Sequence, residues 1–344
     1  MEKIYEIAVV GSGAAGSMGC LRAVLNNLDT ICFAGNSKTK KKARATWVGK
    51  VENMPVLFDK PKAVFQSSSE VYKWIKGQDL WRDKLNLVKD SVDSVTGSVG
   101  DFEITTAKGD RYRARYILLC TGIMDVQPEI RGDISAIFPM ANQGHVEYCI
   151  RCDGHRTKGK EVAIIGHQES ALWIASLLIE RYNCPRMTVF TNGRDLEAQE
   201  ESPVWERVKC YGIQIETCAI EEVLGVPKAE GLTAIRLDDG RSVPCQIAFV
   251  SLGTIVYNEL ATSLGCSIDE RGYVLTDEYG ETDTEGVFVG GDLRAGKKKQ
   301  IYTAWDITVD AVDRIDNYVR KVRRELGHTS CRYHGVEQGG ALMG

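Results

Sequence analysis

The 344-residue chain has no apolar run long enough to span a bilayer, which argues against a transmembrane helix. It has no excess of positive charge either. Lys and Arg total 43 against 47 Asp and Glu, a net charge of -4, so no global field would draw nucleic-acid phosphates. No signal-peptide pattern precedes the first apolar strand. There is no short solenoid-type repeat, and no Ser-His-Asp constellation has a supporting local motif. The 11 cysteines are odd in number and scattered, mostly within apolar stretches (Cys20, Cys32, Cys120, Cys184). That is the pattern of reduced thiols packed as small hydrophobes, not of a secreted disulfide framework. The expectation is a cytoplasmic protein with neither nucleic acid nor membrane as a partner. At 43% hydrophobic and 26% charged residues the composition is that of an ordinary globular protein, and the length suffices for two domains with their own cores.

Against these absences stand two glycine-led loops. Gly11-Ser12-Gly13-Ala14-Ala15-Gly16 follows the apolar run Ile4 to Val10 and opens a helix expected to reach about Leu25. Gly11 permits the tight turn, Gly13 lets backbone approach a pyrophosphate, and Gly16 lets the helix pack on the strand. The helix N-terminus adds free N–H donors and partial positive charge. The ribose-binding acid usual about twenty residues on is missing, because the second strand, Thr30 to Phe33, ends in Ala34-Gly35. The second loop, Gly166-His167-Gln168-Glu169-Ser170-Ala171, follows a predicted strand at Glu161 to Ile165 and precedes a predicted helix from Ser170 to Arg181. Further strands are predicted at Leu85 to Val95, Phe102 to Thr106, Tyr112 to Cys120, Met187 to Phe190 and Ile247 to Leu252. Helices are predicted at Ser68 to Ile75 and Tyr302 to Arg324.

Two strand–loop–helix units about 150 residues apart predict an α/β fold of two doubly wound nucleotide-binding domains, the second inserted into the first. Gly290-Gly291-Asp292 ends another apolar strand and can bring a carboxylate to a ribityl hydroxyl. With the first loop and Val51-Glu52-Asn53-Met54-Pro55, it favours FAD over NAD at the first site. Residues 1–126 and 253–326 are thus expected to form a discontinuous FAD-binding domain, 127–252 a degenerate NAD(P)-type domain, and 327–344 a C-terminal tail.

Between the loops lies Cys149-Ile150-Arg151-Cys152-Asp153-Gly154. Two cysteines at this spacing can close a small disulfide ring, and a helix N-terminus together with Arg151 would favour thiolate. A zinc site built from His145, Cys149, Cys152 and His155 competes with this reading. However, the four lie within eleven residues, with no well-separated second ligand pair.

Taken together, Gly11 to Gly16, Val51 to Pro55, Thr121-Gly122, Cys149 to Gly154, and Gly286 to Asp292 with Gln300 and Thr303-Ala304 resemble the low-molecular-weight thioredoxin reductases over about residues 4 to 324. The resemblance implies a homodimeric FAD-dependent disulfide oxidoreductase with a thioredoxin-like protein as electron acceptor. It places FAD on Gly11, Gly13, Ala14, Ala15, Gly16, Asn53, Thr121, Gly122, Gly291, Asp292, Gln300, Ile301 and Tyr302. It also implies that Cys152 takes electrons from the flavin, Cys149 attacks the substrate disulfide, and Asp153 handles the proton.

The chain departs from the family at the second loop. Gln168 stands where G-x-G-x-x-A has its second glycine, and Thr191-Asn192-Gly193-Arg194-Asp195 replaces the His-Arg-Arg type cluster that holds a 2′-phosphate. An electron donor other than NADPH is therefore expected, with ferredoxin as a candidate and with a second FAD as a candidate for the degenerate site. This is the pattern of the divergent branches that lack NADPH motifs: the diflavin-linked, deeply rooted and ferredoxin-dependent flavin enzymes. An NADPH-dependent reductase with atypical contacts and a flavin redox sensor without turnover remain as alternatives. The basic stretch Lys38, Lys40, Lys41, Lys42, Arg44 and Lys50, with Trp47 in it, reads as a structural loop or as a contact for a second flavin or an acidic ferredoxin. Arg332-Tyr333-His334 in the tail reads as a loose terminus or as an aromatic cover for a flavin.

Overall fold

The computed structural model describes residues 3–36, 42–48, 50–55, 57, 58, 60, 62–296 and 298–325. The tail with Arg332-Tyr333-His334, and Lys38, Lys40 and Lys41 of the basic stretch, lie outside the described residues.

The chain opens with β1 (Ile4–Val10), α1 (Ala14–Leu25), β2 (Thr30–Phe33) and α2 (Ala63–Gly77). Then follow β3 (Leu85–Val88), β4 (Val92–Ser98), β5 (Asp101–Thr106) and β6 (Arg111–Leu119). The strand predicted from Leu85 to Val95 is thus two strands. The turn between them is pinned by Asp90, a buried carboxylate that accepts from Asn36 Nδ2 (2.8 Å) and the Lys108 N–H (3.0 Å). Helix α2 outruns its predicted span at both ends.

The chain continues through β7 (Ile123–Asp125), α3 (Phe138–Ala141), β8 (Val146–Glu147), α4 (Ile150–Asp153), β9 (Glu161–Ile165), α5 (Glu169–Tyr182) and β10 (Arg186–Phe190). After α6 (Val204–Tyr211) and β11 (Gln214–Glu216) comes an antiparallel meander, β12 (Ile220–Val226), β13 (Gly231–Leu237) and β14 (Ser242–Pro244). β15 (Ile247–Val250) rejoins the main sheet of this region, ordered β11-β10-β9-β15-β8, with every pairing parallel. β16 (Thr254–Val256) pairs with β7. The chain closes with α7 (Glu259–Ser263), β17 (Val287–Val289) and α8 (Ile301–Glu325).

Two compact units result. One comprises Met1–Lys41, Ser67–Gly122 and Val256–Gly344; the other comprises Lys42–Gln66 and Ile123–Ile255. Residues 42–66, given to the first domain by the sequence, group with the second unit. Within that unit Arg44 makes a two-pronged ion pair with Asp125 (2.6 and 2.8 Å), and Trp47 stacks on Phe138 with ring centroids 4.0 Å apart. Arg44 and Trp47 of the basic stretch thus have structural partners within this unit.

In the first unit the sheet runs β3-β2-β1-β6-β5-β4, and β17 pairs with the far end of β6. Strands β1, β2, β3, β6 and β17 are parallel to their neighbours; β5 joins β6 antiparallel. Because β1 is central and covered on both faces, it is apolar almost throughout. Ile7 and Val9 pack with α1 and α8, while Ala8 and Val10 pack with Val95, Phe102 and Ile104. Helix α8 buries Ile307, Ala311, Val312, Ile315 and Val319 along one stripe, at helical spacing. Arg22 of α1 locks onto Asp313 of α8 with two hydrogen bonds (2.6 and 2.8 Å).

Ile315 is fully buried in this core. Ile315→Ala should cost about 2–5 kcal/mol of stability in urea unfolding followed by circular dichroism. A loss near zero would show that α8 is not the main cover of this sheet face.

Candidate functional site

Parallel strands place all their carboxyl ends on one edge, and in a doubly wound sheet ligands bind in the crevice outside that edge. In the first unit, register pairs Val10 with Leu119 and Leu119 with Val289. The segments that leave these three neighbouring strands are Gly11 to Gly16, Cys120-Thr121-Gly122 and Gly290-Gly291-Asp292. The sequence-predicted FAD segments in this unit therefore converge on one edge.

Local geometry explains the residue types there. A Cβ on Gly16 would lie 1.9 Å from Gly11 O, so helix α1 can leave the strand this tightly only with glycine. At Gly13, the N-cap of α1, a Cβ would meet nothing within 4 Å. That space faces a helix N-terminus with no side-chain cap and no acidic residue in its first turn, starting with Ala14 and Ala15. An anion such as pyrophosphate is what such an end binds. Gly291, at φ +76°, comes so near that its Cβ would fall 2.8 Å from Ala15 Cβ; Asp292 follows on the same short turn. Thr121 Oγ1 donates to Tyr257 O (2.6 Å), and the Tyr257 N–H donates to Gly122 O (3.2 Å), which fixes the turn after β6. Gln300 is buried just ahead of α8, with Ile301 and Tyr302 in its first turn. These residues fit the FAD that the sequence predicted. Asn53 belongs to segment 42–66 of the second unit.

In the second unit the carboxyl edge carries the other two motifs. β8 runs into Tyr148-Cys149, and β9 runs into the second glycine loop. Cys149 and Cys152 form a disulfide, Cα to Cα 5.3 Å. Cys149 caps α4, and the Cys152 N–H donates to its sulfur (3.2 Å). Asp153 is buried, and burial raises its carboxyl to about 6. Arg151 is exposed on the same turn. The histidines of the zinc alternative point elsewhere. His145 Nε2 lies 3.0 Å from Pro227 O, and His155 Nε2 lies 2.7 Å from Glu52 Oε2. Among the described residues no cluster of three His, Cys, Asp or Glu could hold a metal ion.

The second glycine loop is closed by the chain itself. Glu197 forms a parallel bridge with Gln168: its N–H donates to His167 O (2.7 Å), and its carbonyl accepts from the Glu169 N–H (2.9 Å). Glu169 turns its carboxylate back onto the same segment. It accepts from Ser202 Oγ (2.7 Å), Trp173 Nε1 (2.9 Å) and the Gln199 N–H (3.1 Å), and these donors hold it below the usual carboxylate range. Beyond β10, Asn192 donates to Glu129 O (2.9 Å) and accepts from the Ile220 N–H (2.8 Å), so it serves the fold.

Sequence reasoning passed over Glu147, Arg156 and Glu169. Glu147 ends a buried strand two residues before the dithiol, and Arg156 is its ion-pair partner. An acid inside the apolar run Val146-Glu147-Tyr148 was the available signal.

A doubly wound FAD-type unit and a second doubly wound unit with a disulfide at its carboxyl edge define a flavin-dependent disulfide oxidoreductase. The chain belongs to the pyridine nucleotide-disulphide oxidoreductase family, which matches residues 5–308. It is similar to a Listeria innocua protein described as thioredoxin reductase, with 28% identity over 341 residues, covering 94% of this chain and 97% of that one. A Treponema pallidum protein of the same description is 28% identical over 312 residues, covering 88% and 94%. Among solved structures, the thioredoxin reductase from Streptococcus pyogenes superposes with a TM-score of 0.78 at 19% identity, covering 93% of this chain and 100% of that chain. Among the described residues no helix is long and apolar enough to cross a membrane.

Gly13→Val fills the space beside the α1 N-terminus without touching the fold. It should lower FAD affinity at least about tenfold, a loss of about 1.4 kcal/mol, while leaving the apoprotein melting temperature unchanged. Undiminished flavin retention after gel filtration would remove this loop from the FAD site.

Proposed function

We propose that the protein passes electrons from a donor other than NADPH, of the ferredoxin class, through FAD to the Cys149–Cys152 pair and on to a thioredoxin-like protein. The observation that carries the reading is the closure of α5. A nicotinamide dinucleotide bound in the usual way needs the amides at that helix start. Here the Glu169 N–H is already bonded to Glu197 O, and an ionised carboxylate occupies the first turn. The one charge-assisted hydrogen bond forgone is worth about 1.5–3 kcal/mol, about a ten- to hundredfold loss in NADPH affinity, and the carboxylate in the first turn adds repulsion to it. A second FAD anchored through its pyrophosphate meets the same obstacle. It therefore requires another anchor if it binds this unit. The homodimer is carried over from the resemblance.

Bound FAD supplies the two-electron reduction of the disulfide. Of the protein's own residues, Cys152 receives the electrons and Cys149 attacks the partner disulfide, its thiolate favoured by the Cys152 N–H that already points at its sulfur. Asp153, buried one residue further on, holds the proton for the departing partner thiol.

Anaerobic titration tests the donor. NADPH should leave the flavin oxidised, and reduced ferredoxin should bleach it and sustain turnover with thioredoxin. Rapid stoichiometric bleaching by NADPH would overturn the proposal in favour of an atypical NADPH enzyme. Absence of turnover with any donor would favour a sensor. A count of released flavin should give one FAD per chain; two would show that the second site holds its own. Cys152→Ser should abolish disulfide reduction with FAD retained.

A further inference from the structure

Beside the disulfide lie two buried carboxylates, one of them ion-paired with a guanidinium whose charge also acts on the other. Glu147, at the end of β8, is 5% exposed, and Asp153, at the end of α4, is 3% exposed. Arg156, on the next turn, is ion-paired with Glu147. It is tightly confined, since a Cβ on Gly144 would fall 2.4 Å from Arg156 Nη1 and 3.0 Å from Glu147 Oε1. The other charged neighbours, Glu52 and His155, pair with each other at a more exposed position, their side chains 30% and 49% exposed. With both buried acids ionised, the trio of Glu147, Asp153 and Arg156 carries one net negative charge; with one proton added it is neutral. An uncompensated buried charge is costly, so such a trio retains a proton that either acid alone beside Arg156 would not need.

We propose that Glu147 and Asp153 act as one proton-sharing pair around Arg156, with Glu147 the positioning residue that keeps an acid beside the dithiol at neutral pH. This rests on the roles given above to Cys149, Cys152 and Asp153. The titration of the pair agrees with the geometry. Burial and the Asp153 charge push the Glu147 carboxyl up to about 8; burial pushes Asp153 up to about 6. Arg156 opposes the rise in both acids, His155 opposes it at Asp153, and Glu52 adds to both. For interacting acids these values belong to the pair. The pair gives up its two protons in separate steps, so that one proton is held near neutral pH.

The exchange then balances. Reduced Cys149 thiolate attacks the partner disulfide and forms a mixed disulfide, releasing one partner thiolate that takes the proton of the pair. Cys152, losing its thiol proton to the second departing sulfur, closes the Cys149–Cys152 bond. Two electrons and two protons reach the partner, and the pair is left ionised against Arg156 until solvent returns its proton.

The test uses full-length protein and Glu147→Gln, which keeps the shape and an acceptor for Arg156 but cannot hold the extra proton. In the oxidised protein, infrared carboxyl bands should disappear in two steps in the wild type. In the variant only the lower step should remain, and Glu147→Asp should restore the upper one. After reduction, exchange is followed against hydroxyethyl disulfide, whose alkyl thiolate needs a proton, and against an aromatic nitrobenzoate disulfide, whose thiolate leaves unprotonated. The variant-to-wild-type rate ratio should fall about tenfold between pH 6 and 7.5 for the first and stay level for the second. A variant that keeps the upper infrared step, or a level ratio for both disulfides, overturns the proposal. If the wild type exchanges with neither disulfide the assigned cysteine roles fail, while the infrared steps still decide the pair.

Discussion

The parallel alignment of β1 with β2 and β6, and of β6 with β17, is the constraint on which the first unit depends. Parallel pairing forces every strand to end on the same edge, so the turns that leave β1, β6 and β17 meet there whatever their separation in the chain. That is why Gly11 and Gly291, more than 270 residues apart in the chain, lie on one edge. Helix α1 can descend from this edge only because Gly16 has no Cβ to strike Gly11 O. Its cover, α8, then fills the sheet face behind it.

The second unit obeys the same rule but uses its edge differently. Helices α1 and α5 stand at equivalent places, each after a central strand with parallel neighbours on both sides. Each begins with partial positive charge and unpaired amides. The first turn of α1 has neither an acidic residue nor a side-chain cap, so its charge is available to a ligand. The first turn of α5 carries Glu169, and a neighbouring segment bonds the amide of the same residue. An electrostatic field identical in origin is thus open in one unit and satisfied internally in the other. What the second edge still presents is the disulfide at the end of β8, with its acids beneath it.

Most of the framework was legible because it follows from local pattern. β1 and β2 begin and end where the apolar runs do, and α1, α5 and α8 lie within a residue or so of their expected ends, since caps and periodicity are near-neighbour properties. The break between β3 and β4 was missed because it depends on Asp90 finding Asn36 and the Lys108 amide, partners distant in sequence. The meander β12–β14 and helix α6 also went unread; their residues are mixed in polarity, and much of β12 stays exposed. Among the site residues, the glycines and cysteines declared themselves through spacing. Glu147, Arg156 and Glu169 did not, because a charged residue becomes informative only when its burial and its partners are known.

Gln168 was the residue that first marked the second loop as damaged, yet the structure makes it the lesser change. It is exposed and extended, and its side chain has no bonded partner among the described residues. The stronger obstacle lies one position on. Three donors hold the Glu169 carboxylate in place, and the backbone of Glu197 occupies the amide that a phosphate would need. A glycine at 168 would reopen space without freeing that amide or removing that charge. The Glu169 amide has a partner from the same chain and its carboxylate has three donors, so the charge at this helix start is answered within the unit itself.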